Sequence, residues 1–174
     1  MEMEAHHEIK EHDSFGKFIG VQTAILAVLL SVFTIFSHRE HTNTLLYSNE
    51  ASDSWAHYQA KRIRSYQLDM NSDLIKLLAP ASTEAVKTLS AYAKQTVKYD
   101  KELEEIKAEA QTTAKAEGVA HHKAGYFDLA EALFEIAVIL SSLYFISRKK
   151  LFPSIGIVFA GIGLLVGVCG LLIH

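Results

Sequence analysis

The sequence predicts an all-α membrane protein. It has three transmembrane helices and, between the first and second, a long antiparallel helical hairpin of coiled-coil character projecting from the membrane. Three observations carry that fold class. Residues 21–79 hold neither glycine nor proline, although Gly20 precedes them and Pro80 follows. The main helix breakers are therefore missing from the stretch where apolar sequence gives way to polar sequence. Apolar stretches recur at 18–37, 126–147 and 151–173, each close to the ~20 residues that cross a hydrocarbon core. Between the first two lie polar segments of similar length, divided by one short turn at 79–82.

Composition fits a chain partly in lipid, with 49% hydrophobic residues among 174. A net charge of -3 does not call for nucleic acid as a partner. Cys169 is the sole cysteine, which excludes an intrachain disulfide and a cysteine-built zinc site. Nine histidines are many for this length, and six stand in close groups, His6/His7, His38/His41 and His121/His122.

In chain order, residues 1–17 form an acidic, histidine-bearing tail without apolar periodicity, read as solvated. Its His6, His7 and His12 are the kind of residues that collect metal weakly. Residues 18–37 carry no charge and make the first span. Residues 38–125 are the extramembrane hairpin. On its outward arm Leu45, Ser52, Trp55, Gln59, Ile63, Tyr66, Met70, Leu74 and Leu77 recur at helical spacing and are read as its seam. Ser82 is placed as an N-cap and Glu84 favours the helix dipole. The return arm runs to Glu117 with a stripe at Val86, Leu89, Ala93, Val97, Leu103, Ile106 and Ala110, and 118–125 leads back to the membrane. Both stripes are thin and rich in small residues. Stability is therefore expected from hairpins packing together in a homo-oligomer or against another protein.

The second span, 126–147, must include acids to reach membrane length. Asp128, Glu131 and Glu135 stand at i, i+3 and i+7 on one helical face. Arg148, Lys149 and Lys150 form a short basic loop that belongs in the cytoplasm. The N-terminus is then cytoplasmic and the hairpin periplasmic or extracellular. The third span, 151–173, is glycine-rich, and Gly163 and Gly167 form a small-xxx-small pair suited to close helix approach.

One string carries a resemblance. Asp53, Trp55, Tyr58, Gln59, Ala60 and Lys61, following a span that ends in His38-Arg39-Glu40-His41-Thr42, resemble the bacterial membrane proteins grouped as domain-of-unknown-function 4337. The resemblance implies a tail, one span, a helical region and two C-terminal spans in the bacterial inner membrane. It implies no activity. Trp55, Tyr58 and Gln59 are read from the residues as hairpin core or as a contact surface for another subunit.

The function expected is a membrane-anchored helical scaffold or accessory subunit, not an enzyme, with the bilayer, further copies of itself and another membrane complex as partners. No phosphate-binding glycine loop, H-E-x-x-H or G-x-S-x-G string occurs. The alternative is an oligomeric ion- or metal-handling protein that uses the acids of the second span. His38, His41, His121 and His122 would then be ligands of a divalent ion such as zinc. The acids themselves are expected in a polar collar, Arg39 and Lys123 neutralising Asp128 and Glu131, with Glu135 facing protein beside Ser31 or Thr34.

Overall fold

Neither glycine nor proline interrupts residues 21–79, and the chain is helical well beyond them. The computed structural model of the chain describes residues 2–79 and 82–173, with side chains from Ser14 onward. The tail histidines His6, His7 and His12 and the turn residues Pro80 and Ala81 lie outside the described residues or side chains. Helix α1 spans Glu2–Leu78, 77 residues without a break. It passes through 36–46 as one helix, as the missing breakers require. It also takes in most of the acidic segment read as a solvated tail. Glu, Met, Ala and Lys there are good helix formers, which local apolar periodicity does not measure.

Ser82 closes the turn as expected. Its hydroxyl accepts from the backbone N–H of Ala85 at 3.5 Å, satisfying one orphan donor of the next helix, and its carbonyl accepts the first intrahelical bond, from Val86 at 3.1 Å. Helix α2 spans Thr83–Ser147 with Glu84 in its first turn. It runs straight through Gly118 and Gly125, where the sequence suggested a linking segment between arm and span. A glycine inside a helix costs about 0.5–1 kcal/mol relative to alanine. Burial of Ala120, Ala124 and Phe127 beside them offsets that cost.

Arg148 ends α2 in the left-handed region, φ 57°, and its N–H donates to the Tyr144 carbonyl at 2.8 Å. That is the αL stop usually made by glycine, here built on a residue with a side chain. Helix α3, Leu151–Leu171, follows at once. Pro153 sits in its first turn, where a missing N–H costs nothing. No strand occurs among the described residues.

Two compact units emerge, Met1–Asn43 with Val119–His174, and Thr44–Gly118. The first packs α1, α2 and α3 around Leu26, Phe33, Phe127, Ala130, Phe134, Ala137 and Ala160. All three of its helical stretches are long and apolar enough to cross a membrane. The buried positions of α3 are Pro153, Gly156, Ala160, Gly163, Gly167 and Gly170. They alternate at three and four residues, the a/d rhythm of a coiled-coil seam. Small residues along it let α3 approach the other helices closely.

In the second unit α1 and α2 pack against each other along a seam of the same rhythm. On α1 the covered positions are Ala51, Ser54, Tyr58, Lys61, Ser65, Leu68, Ser72 and Ile75. On α2 they are Ala85, Leu89, Tyr92, Thr96, Tyr99, Leu103, Ile106, Ala110 and Thr113. The α1 seam read from sequence is out of phase with this one. Leu45, Ile63, Tyr66, Met70, Leu74 and Leu77 are all exposed. The side of α1 that meets α2 is built mainly from small and polar residues, with Leu68 and Ile75 as its large aliphatic ones. On α2 the expectation holds at Leu89, Leu103, Ile106 and Ala110, while Val86, Ala93 and Val97 face outward.

Candidate functional site

The acids of α2 are the costliest groups to place in an apolar unit, so their partners define the site. On α1, Thr34, Ser37 and His41 stand at i, i+3 and i+7 and share a face. That face meets Asp128 and Glu131. The Ser37 hydroxyl, 2% exposed, donates to Asp128 Oδ1 at 2.5 Å. His41 Nε2 lies 3.1 and 3.0 Å from the two Asp128 oxygens, with both side chains about half exposed. The Thr34 hydroxyl donates to Glu131 Oε1 at 2.8 Å. Hydrogen bonds to a carboxylate are stronger than neutral ones, so two hydroxyls and an imidazole hold these partly exposed acids against α1.

This network corrects the expected collar. Arg39 and Lys123 make no ion pair with Asp128 or Glu131 among the described residues. Arg39 lies two residues from both Ser37 and His41, about 200° around the helix, and is exposed. Glu135, expected against protein, is exposed in the single chain. Ser31, its proposed partner, donates instead to the Ala27 carbonyl at 3.0 Å. The His38 carbonyl accepts from the Thr42 hydroxyl at 2.9 Å, and the residue is exposed. His121 and His122 are exposed, with ring centroids 6.3 Å apart. No three of His, Cys, Asp and Glu come together as a metal-holding group among the described residues.

A second polar contact inside the first unit escaped the sequence reading. Gln22 Nε2 donates to Ser141 Oγ at 3.2 Å, and Ser141 is 0% exposed. Two polar residues inside apolar stretches were the available signal. Their pairing required the helix register. The basic loop is also tied into the fold, with Lys150 Nζ 4.8 Å from the Phe15 ring centroid.

Gly163 and Gly167, assigned by sequence to a contact face, meet other helices of the same chain. A Cβ on Gly163 would stand 3.2 Å from Leu133 Cβ, and one on Gly167 would stand 2.1 Å from Phe33 Cε1. The close approach is real, and it is intramolecular.

In the second unit, Trp55 is partly exposed and packs edge-on against Tyr58 with centroids 5.6 Å apart. Gln59 is exposed. Arg62 Nη1 donates to Tyr58 Oη at 2.6 Å and Nε to Tyr66 Oη at 2.9 Å. The Tyr66 and then the Tyr58 hydroxyl hold the guanidinium in its charged form and raise its pKa above the ordinary value. Lys61 bridges the helices by an ion pair with Glu102, and its ammonium lies 5.7 Å from the Tyr99 centroid. The Lys61 hydrogen bond pushes the Glu102 carboxyl below its ordinary range. Lys61 thus pairs with an acid of the return arm, whereas Arg62 turns to the tyrosines of its own helix.

The helix order, the acids of α2 and the tryptophan string of α1 are matched together in one family. The sequence model of a family described as Domain of unknown function (DUF4337) matches residues 15–173. The chain belongs to the DUF4337 family. The match takes in residues of both units. No curated protein and no solved structure matches the chain.

Proposed function

We propose that this DUF4337 protein is a membrane-anchored helical scaffold or accessory subunit, without catalytic activity, that self-assembles or docks on another membrane complex. In this reading α1, α2 and α3 cross the bacterial inner membrane with the N-terminus in the cytoplasm. Residues 44–118 then form an antiparallel hairpin on the periplasmic or extracellular side. One observation carries the proposal. On α1 the face covered by α2 is mainly alanine, serine and tyrosine, while the large apolar side chains Leu45, Ile63, Met70, Leu74 and Leu77 face outward. A helix that covers mainly small residues and leaves its large apolar ones exposed is built for a partner.

The test is the mass of the full chain in mild detergent, measured across a concentration series. A scaffold gives a multiple of 19.3 kDa or co-purifies with a stoichiometric membrane partner. A lone monomer at every concentration ends the proposal. A second reading, ion or divalent-metal handling by an oligomer, draws on the His41–Asp128 contact at 3.0 Å. Stoichiometric zinc in the purified protein, lost on replacing His38 and His41, would favour it.

A further inference from the structure

Within the second unit, α1 carries two seams. The first, Ala51 to Ile75, is covered by α2. The second lies on the opposite side, and nothing among the described residues covers it. Its apolar members are Leu45, Ile63, Tyr66, Met70, Leu74 and Leu77, between 47% and 79% exposed. Ile63, Met70 and Leu77 recur every seven residues, and so do Leu45, Ser52, Gln59 and Tyr66. The two rows are offset by three or four residues, which is the a/d relation of a coiled coil. Trp55 flanks the stripe.

We infer that this second seam binds the same seam of a second copy, parallel and in register. The inference rests on the self-assembly reading above and adds its surface, its direction and its register. Area is the first argument. Seven large apolar side chains, Trp55 included, at roughly half exposure offer on the order of 100 Å² each. A self-complementary pair then buries about 1,400 Å², inside the ~1,200–2,000 Å² of specific stable interfaces. Direction is the second. α1 is a single helix from its apolar stretch into the stripe. Copies sharing one bilayer therefore leave it on the same side, and their stripes run parallel.

Charge is the third argument. In a parallel pair, a flanking position of one helix meets the position five residues further along the other. Arg62 then meets Gln67, Ser48 meets Asp53, and Asp69 meets Leu74 of the second copy, so no like charges oppose at the flanking positions. Asn49 and Gln59 fall in the seam opposite themselves, where paired amides fix register. Asp73 falls in the same row as Gln59 and so faces its own copy; Lys76, 3.0 Å away in the same chain, offsets that charge.

Disulfide trapping in native membranes tests this, with the full chain carrying Cys169→Ser. Under mild oxidation Ile63→Cys and Met70→Cys each give a covalent dimer of like with like. Ser65→Cys, which faces α2, gives none. In a second measurement, Ile63→Arg with Met70→Arg reduces the detergent mass to that of one chain while helical content by circular dichroism is retained. An oligomer whose mass survives the arginines and which shows no 63–63 band overturns the inference and leaves self-assembly standing. Cross-linking of Gln59→Cys to Met70→Cys without like-with-like bands shows an antiparallel pair and overturns the parallel register. Trapping of a different protein at position 63 overturns the second copy as occupant. A wild-type chain that is a monomer throughout removes both the inference and self-assembly.

Discussion

Replacing Gly167 with alanine is predicted to loosen the three-helix unit through one ring. The added methyl falls 2.1 Å from Phe33 Cε1 and 2.5 Å from Cζ, against ~3.5–4.0 Å for a favourable carbon contact. Phe33 has little room to yield. It is 5% exposed and stacked on Phe134 at 5.2 Å, with Phe127 at 6.4 Å and Phe36 at 6.5 Å. Overpacking of this kind costs about 1–3 kcal/mol, and a displaced ring forfeits ~0.5–1.5 kcal/mol of aromatic pairing. The sum is about 1.5–4.5 kcal/mol. At ~2–4 °C per kcal/mol for a chain of this size, Tm falls by roughly 3–18 °C. Gly161→Ala is the control, since a Cβ there meets nothing within 4 Å. It should gain about 0.5–1 kcal/mol of helix propensity. Thermal unfolding of both variants in one detergent decides the matter. Phe33→Leu should recover part of the Gly167→Ala loss, because the two positions share the clash. Equal Tm shifts for Gly161→Ala and Gly167→Ala would refute the reasoning.

Three further outcomes are expected. Leu103→Ala or Ile106→Ala, each in the α1–α2 seam and 8% exposed, should lower stability by about 2–4 kcal/mol. Val97→Ala, 71% exposed, should change it by less than ~0.5 kcal/mol, and chemical denaturation distinguishes the two cases. Ser37→Ala removes the buried donor to Asp128 and should cost about 1.5–3 kcal/mol; His41→Ala, at a half-exposed pair, should cost ~1 kcal/mol or less. Glu102 has a depressed pKa in the folded state, so its contribution is fully present above its ordinary value of 4.5 and fades as pH falls through the lower folded value. Lys61→Met should flatten that acid limb in a pH series of unfolding midpoints; an unchanged limb would show that the pair contributes nothing.

Much of the backbone was legible because breakers act locally. The turn at 79–82, the unbroken α1 and the glycine face of α3 follow from where Gly and Pro stand. The phase of the α1–α2 seam did not follow. Periodicity marks Leu45, Ile63, Met70 and Leu77 as a buried stripe but cannot say what buries them, and α2 takes the face of Ala51, Ser65 and Ser72 instead. Gly118 and Gly125 misled in the other direction, since tertiary packing around Ala120, Ala124 and Phe127 overrides a weak propensity. At the acids, charge pairing suggested Arg39 and Lys123. The register of α1 on α2 selects Thr34, Ser37 and His41, because these share the facing side of α1 and Arg39 does not.

Topology tests the central claim, a bilayer anchor with a water-exposed helix pair, most directly. With Cys169→Ser as background, Ser90→Cys and Lys149→Cys are each probed by a membrane-impermeant maleimide in intact spheroplasts and again after lysis. The anchor predicts a chain that resists carbonate extraction, with position 90 labelled in intact spheroplasts and position 149 only after lysis. A chain washed free by carbonate, or equal labelling at both positions before lysis, would contradict it.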